Sequence, residues 1–293
     1  PVEDIRRTLT PQLQVLEEET ALLLIDLGNM QHRLGGSALA QAYGTVGEHA
    51  PDVSPQDLRA FLEAMQQLKA AGYILAYHDR GDGGLFATIC EMAFAGHVGV
   101  SLMLDAVCYD PLSNDVDGLE KNPDRLKGRF DDRVFGALFS EALGSVIQIR
   151  RSQSAQVAQI LNKAGVAHAF VGELNQRDEI RIWRNAKLLY SAPRAQLHQL
   201  WSRTSYEIAR LRDDANCAQE EYEALGRADT PGLLVQTTFD VCEDVAAPFI
   251  AKGVRPKVAI LREQGVNSQA EMAAAFYFAG FNPVDVHMSD LQN

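Results

Sequence analysis

Apolar positions along the chain follow two alternating rhythms. Residues 21–27, ALLLIDL, are apolar at every position up to Asp26, the pattern of a buried strand. Gly28 and the turn Gly35-Gly36-Ser37 then lead into a short helical stretch over 38–43. Pro51 to Pro55 punctuates the chain. Ser54 offers an N-cap to a helix whose Leu58, Phe61, Leu62, Met65 and Leu68 recur at helical spacing until Gly72. A strand over 73–78, the loop Asp79-Arg80-Gly81-Asp82, a helix over 83–95 and a strand over 98–104 follow. Residues 133–143 predict a helix, 145–150 a strand, 153–164 a helix, and 166–172, 178–184 and 187–191 three more strands. A long helix over 193–213 closes this region, with Leu197, Leu200, Trp201 and Ile208 as its expected buried stripe.

Two stretches break the rhythm. Residues 105–133 are rich in Asp, Asn, Pro and Lys/Arg, lack an apolar period, and read as a surface insertion. Residues 214–254 have weak periodicity and read as a linker. Beyond them, KVAIL at 257–261 predicts a buried strand of the parallel type. The loop Arg262 to Asn267, a helix over 268–279 burying Met272, Ala275, Phe276 and Ala279, and a strand over 284–286 complete a β-α-β unit of the kind that opens a doubly wound sheet. The expected plan is a first lobe over 1–213, a linker over 214–254, and the truncated start of a second domain over 255–293.

Composition narrows the function. A net charge of −12 argues against non-specific binding to nucleic acid or an anionic membrane, because the average surface repels phosphate. It leaves room for a local phosphate site made of backbone amides and a metal. No stretch approaches the ~20 apolar residues of a membrane helix. The first residues, Pro1-Val2-Glu3-Asp4, are unlike a secretory signal, and a leading Pro rather than Met is expected of a cut chain. Cys90, Cys108, Cys217 and Cys242 lie far apart without a Cys-x-x-Cys pair, the usage of a reduced, cytoplasmic protein without zinc.

Chemistry concentrates at Tyr77-His78-Asp79-Arg80-Gly81-Asp82-Gly83-Gly84-Leu85. A strand delivers two carboxylates to its C-terminal end and paired glycines open the next helix. Asp oxygens there suit Mg²⁺, and glycines let helix N-terminal amides approach a phosphate. The same residues also suit a tight turn in which Asp82 caps the helix, and the two readings coexist. His78 is either a substrate contact or a satisfied histidine at the rim of the core. Glu91 reads as a helix carboxylate on a less buried face, and Glu207, Arg210 and Arg212 as a solvated or interface charge set. A second candidate, Arg262 to Asn267, also lies at the C-terminal end of a parallel strand but carries only a weak Gly-x-Asn signal. No Gly-x-Cys-x-Gly or Gly-x-Ser-x-Gly elbow is present. The acidic neighbours Glu243 and Asp244 disfavour Cys242 as a nucleophile.

HDRGDGGL followed by EMAFAGHVGV, and RPKVAILREQGVNS followed by EMAAAFYFAGF and DVHMSDL, resemble the large single-chain phosphoribosylformylglycinamidine synthases of purine biosynthesis. LLLIDLG with LGGSALAQAYG, EALGSVIQIR and TSYEIARLRD point the same way. The resemblance covers nearly the whole chain apart from 105–133, and it is specific because two unrelated domain types stand in the order that family uses.

The resemblance implies an α/β (α+β) fold: a mixed-sheet lobe like the C-terminal domain of aminoimidazole ribonucleotide synthetase, then a truncated β-α-β of a class I glutamine amidotransferase. It implies a carbon–nitrogen ligase that uses ATP and glutamine to convert formylglycinamide ribonucleotide to its amidine, with Mg²⁺ and ATP or ADP as cofactors. The remaining domains of the same polypeptide would be its partners. Asp79 matches the family's Mg²⁺-ligating Asp. Gly81 stands where the family often has a nucleotide-contacting Ser, which leaves a backbone contact only. Asp82, Gly83 and Gly84 would be nucleotide or phosphate neighbours. The family carries a catalytic and a structural nucleotide site, and the resemblance places Asp79 in the structural one. No catalytic residue is expected within these residues, so the chain alone is expected to be inactive. Other synthetases of the superfamily, such as selenophosphate synthetase, lack a following amidotransferase strand. The non-enzymatic alternative is a scaffold lobe that docks other domains and binds no nucleotide.

Overall fold

The computed structural model describes residues 8–108, 132–227 and 235–292. The chain divides into two compact units, Pro1–Thr230 and Pro231–Asn293.

The first unit is built on β1 (Thr20–Asp26), all of whose residues are buried. Its neighbours are β4 (Gly144–Arg150) and β5 (His168–Asn175), both antiparallel to it. The full sheet adds β2 (Ala76–Asp79), β3 (Gly99–Met103), β6 (Glu179–Arg184) and β7 (Lys187–Pro193) in the order β2-β4-β1-β5-β3-β6-β7. Only β3 and β6 run parallel, so the sheet is mixed.

Helices cover both faces because β1 is apolar on both. Leu22, Leu24 and Val146 pack with Leu85, Ile89 and Met92 of α3 (Gly84–Gly96). Leu23, Ile25 and Ile147 pack with Phe61 and Leu68 of α2 (Pro55–Ala70) and with Val157 and Leu161 of α5 (Ser154–Ala164). Ser54 caps α2 as its position predicts, accepting from the Asp57 N–H at 3.0 Å. The short α1 (Ala38–Ala42) follows the Gly35-Gly36-Ser37 turn, and residues 132–139 form α4.

Several expectations are corrected. The strand expected over 73–78 is paired only from Ala76 to Asp79, because the chain is still leaving α2 at Tyr73, whose N–H bonds Leu68 O. Most of the expected insertion, 109–131, lies outside the described residues. Its near edge is core rather than surface, with Val107 and Cys108 both buried. The long helix α6 (Arg194–Arg212) forms, but of its expected stripe only Leu197 is buried, at 9%. Leu200, Trp201 and Ile208 are exposed at 58%, 59% and 57%. Only the first turns of α6 reach the sheet and α3, where His198 stacks on Phe94 at 4.5 Å. Farther along, α6 meets α7 (Ala215–Leu225), with Tyr206 stacked on Tyr222 at 4.3 Å. That helix lies in the stretch read as a linker. It is capped by Asp214, and its period is weak because it buries little beyond Ala218.

The second unit holds α8 (Ala247–Ala251) and a two-stranded sheet of β8 (Lys257–Arg262) and β9 (Asn282–His287), joined through α9 (Gln269–Phe278). The strands are parallel, Lys257 opposite Asn282 and Arg262 opposite His287, so the expected β-α-β unit is present. Its burial is thinner than expected. Ile260 alone among the β8 residues is buried. On α9 no residue is buried, and Phe276, half-buried, meets Phe281 edge-on at 5.5 Å. Two strands and one helix offer too little facing surface to enclose that helix.

Candidate functional site

Strands β1 and β2 run in the same direction on either side of β4, so their C-terminal ends and the start of β4 share one edge of the sheet. Asp26 ends β1 and Asp79 ends β2. Their environments differ. Asp26 is 2% exposed and receives the buried Arg80 guanidinium together with the Met30 N–H at 2.6 Å. Arg80 also holds the carbonyls of Ala142 and Leu143, at 2.5 and 3.2 Å. This buried pair joins three chain segments and is structural.

Asp79 is exposed, and the Tyr77 hydroxyl donates to its Oδ1. Burial, and then the neighbouring Asp79 carboxylate, push the Tyr77 hydroxyl above its ordinary pKa, so Tyr77 remains a donor. Pairing places Asp79 opposite Ser145 and His78 opposite Val146, so the side chains of His78 and Asp79 leave opposite faces of the sheet.

His78 faces α3. Its Nε2 lies 2.9 Å from Glu91 Oε2 and its Nδ1 lies 2.8 Å from the Asp79 carbonyl oxygen. Both partners only accept, so the imidazolium alone satisfies both. The hydrogen bond to Glu91 raises the His78 pKa and lowers that of Glu91. Trp201 Nε1 donates to the other Glu91 oxygen at 3.0 Å, tying α6 to α3. His78 is therefore partnered, as the rim-histidine reading expected. The Glu91–Trp201 bond spans 110 positions and has no local signature in the sequence.

The glycine turn differs from the capping expectation. Gly83, at φ +79°, is the N-cap of α3, and no side chain caps it; Asp82 is not the cap. Gly84 sits at φ +64°, and a Cβ there would lie 2.7 Å from Leu138 O. Gly84 is thus required by close packing against the end of α4, and Gly83 by its left-handed backbone and the nearby Ala87 Cβ. The Gly83 N–H donates to Glu141 Oε1 at 2.8 Å, and the Gly84 N–H to Gly81 O at 2.9 Å. Gly81 has no heavy atom within 4 Å of its would-be Cβ and faces open space. Glu141 opens the EALGSVIQIR segment, but nothing local marks it as a partner of a turn 58 positions away.

As a Mg²⁺ site these residues provide two exposed carboxylates, Asp79 and Asp82. Among the described residues no three or more His, Cys, Asp or Glu side chains converge as a metal cluster. A Mg²⁺ ion at Asp79 would need the rest of its shell from other groups. The Arg262 to Asn267 loop shows no comparable cluster, and Arg262 pairs with Asp285 across the two strands at 2.8 Å. Cys90 is buried and pushed up to about 12 by burial, which makes its thiol inert. Among the described residues no helix is long and apolar enough to cross a membrane.

The fold and this strand-end site define a lobe with a mixed seven-stranded sheet, helices on both faces, and a carboxylate-and-glycine turn on one edge. The chain belongs to the family described as AIR synthase related protein, C-terminal domain, which it matches over residues 17–185. Residues 255–293 match the CobB/CobQ-like glutamine amidotransferase domain, so both expected domain types are present, in the expected order. Among solved structures, the chain is similar to Thermotoga maritima PurL complexed with ATP, at 13% identity over 81% of this chain and 30% of that one, with a TM-score of 0.45. It is also similar to phosphoribosylformylglycinamidine synthase II of the same organism, at 12% identity over 82% of this chain and 31% of that one, with a TM-score of 0.46. Escherichia coli HypE matches at 19% identity over 60% of this chain and 48% of that one, with a TM-score of 0.37. The chain spans about a third of the length of the Thermotoga proteins.

Proposed function

We propose that this chain is part of a glutamine-dependent phosphoribosylformylglycinamidine synthase, a cytoplasmic carbon–nitrogen ligase of purine biosynthesis. One observation carries the reading: an AIR-synthase-type C-terminal domain and a glutamine amidotransferase match stand on one chain, in that order. Such a protein takes ATP, glutamine and formylglycinamide ribonucleotide, and other domains of the same polypeptide complete it.

Within it, this chain supplies a Mg-nucleotide half-site at the β2–α3 turn. Asp79 would ligate Mg²⁺, held in orientation by the Tyr77 hydroxyl. The backbone at Gly81, open to solvent, would meet the nucleotide, with Asp82, Gly83 and Gly84 beside it. Mg²⁺, when bound, neutralises phosphate charge. The chain alone would turn over no glutamine, since its sequence holds no cysteine elbow. The assignment of Asp79 to a structural rather than catalytic nucleotide site belongs to this proposal.

A second reading is favoured by a specific observation: the Gly83 and Gly84 amides already have protein acceptors. On that reading the lobe is a scaffold that binds no nucleotide. Titrating ADP with Mg²⁺ into the purified chain separates the two. Mg-dependent binding lost in Asp79→Asn supports the half-site, and its absence in the wild type supports the scaffold.

A further inference from the structure

Glu141 lies between the end of α4 and the start of β4, as the first residue of the EALGSVIQIR segment, and it is not among the candidate site residues the sequence offers. Its Oε1 accepts two backbone N–H groups from distant parts of the chain. One is Ala38, in the first turn of α1, at 2.8 Å; the other is Gly83, the N-cap of α3, at 2.8 Å. Each donor opens a helix behind a glycine turn, Gly35-Gly36-Ser37 in one case and Asp82-Gly83-Gly84 in the other. A carboxylate at such a point is stabilised by charge-assisted bonds and by the α3 dipole.

The backbone around Glu141 is fixed independently. Arg80 clamps the carbonyls of Ala142 and Leu143, and the Arg80 N–H bonds Gly144 O at 2.9 Å. On its other side, Gly84 is pressed onto Leu138 and Phe139 so closely that a Cβ would overlap their backbone. The 138–144 segment therefore contacts the Asp79–Gly84 turn at three points: the Arg80 clamp, the Gly84 approach and the Glu141 carboxylate. The first two do not involve the Glu141 side chain: one is made by the Arg80 guanidinium and backbone N–H, the other by backbone packing at Gly84. The third is a side chain whose length and charge can be changed without disturbing them.

We infer that Glu141 is a positioning residue that ties the N-terminal turns of α1 and α3 together and so holds the Asp79–Gly84 turn in shape before any ligand arrives. The structural part of this inference stands on geometry alone; its consequence for nucleotide binding rests on the half-site reading above. Glu141 bonds the turn at the Gly83 N–H, so its effect on a ligand at Asp79 is exerted through the turn.

Amide hydrogen exchange, read by ¹H–¹⁵N spectra of the whole chain, tests the tie. In Glu141→Ala the Ala38 and Gly83 amides exchange at least about tenfold faster, as the loss of a charge-assisted bond implies. The Leu22 to Ile25 amides do not change. Glu141→Gln keeps an acceptor oxygen and shows a smaller change at both positions. Acceleration at only one of the two amides, or at neither, overturns the tie. If Glu141→Ala does not fold, Glu141→Gln is read in the same way. Titration of Mg-ADP into the same variants tests the consequence: affinity falls in Glu141→Ala and is largely restored in Glu141→Gln. Equal affinity in Glu141→Ala and the wild type overturns the positioning role. A wild type that binds no nucleotide refutes the half-site reading instead, and leaves the tie to be decided by exchange.

Discussion

Trp201 and His78 hold the two oxygens of one carboxylate, that of Glu91, so that α6, α3 and β2 meet at a single side chain. The contact with His78 makes the fold pH-dependent in a defined direction. The His78 pKa is raised above 6.5, chiefly by its bond to Glu91, so its contribution is complete below 6.5 and is lost as pH rises through the folded value. The Glu91 pKa is lowered below 4.5, chiefly by His78, so its contribution is present above 4.5 and is lost as pH falls through the depressed value. The pair is fully engaged between 4.5 and 6.5. Denaturation midpoints measured across pH should decline above that window, and His78→Gln should flatten the alkaline limb. An unchanged limb would show that His78 carries no linked proton.

Arg80 and Asp26 are 1% and 2% exposed, and neither has solvent to fall back on. Arg80→Met leaves the Asp26 carboxylate buried without its guanidinium and frees the 142–143 carbonyls. The expected loss of stability is about 3–5 kcal/mol, read from urea unfolding. Replacing both residues by apolar ones of similar volume should cost less than this single change, which is the signature of a stranded charge.

Asp79→Asn and Gly81→Ser should act in opposite directions on Mg-nucleotide retention by the longer protein. On the proposed half-site, the first keeps shape but removes the charge that would face the metal, and should weaken retention by at least about tenfold. The second adds a hydroxyl where a Cβ meets nothing within 4 Å, so it folds without strain and tightens retention. Its effect on stability should be neutral to favourable, by up to about 1 kcal/mol, because glycine is the more flexible residue when unfolded. Equilibrium dialysis with thermal melts reads both quantities. A collapse of kcat with unchanged retention in Asp79→Asn would move Asp79 to the catalytic site.

The two sheets should differ in local stability. Leu22 to Ile25 are enclosed on both faces and paired on both edges, whereas β8 is paired on one edge only, by β9, and buries Ile260 alone. Amides of Val258 to Leu261 should exchange orders of magnitude faster than those of Leu22 to Ile25. Equal protection would show that the β8–β9 unit is stably covered.

What the sequence made legible was what is local. The apolar run at 21–27, the Ser54 cap and the parallel strand–helix–strand of 257–287 each follow from short-range pattern, and each formed. The exposed face of α6 could not be read in the same way. Leu200, Trp201 and Ile208 recur at the spacing of a buried stripe, but spacing does not say whether a neighbour is present to cover it. Helix α7 escaped notice for the converse reason: a helix resting on one other helix needs few apolar positions. At the candidate site, Asp79 and the glycines stood out as a motif. The roles of Glu141, Glu91 and Asp26 were not legible there, because the groups they hold at Ala38 and Gly83, Trp201, and Arg80 lie 54 to 110 positions away.

The two-sided burial of β1 has a consequence for how the sheet assembles. In a strand with one wet face, sliding by a single residue turns polar groups inward and is rejected at once. With Leu22 and Leu24 in one core and Leu23 and Ile25 in the other, such a slide exchanges leucines for leucines and isoleucine and meets little resistance from hydrophobicity. Alignment must then come from the strand's polar ends. At one end Thr20 Oγ1 accepts from the buried Gln148 amide at 3.0 Å, and at the other Asp26 meets Arg80. A one-residue slip strands an amide at the first end and a carboxylate at the second. These two buried polar contacts act as stops that let an otherwise uniform strand lock in only one position.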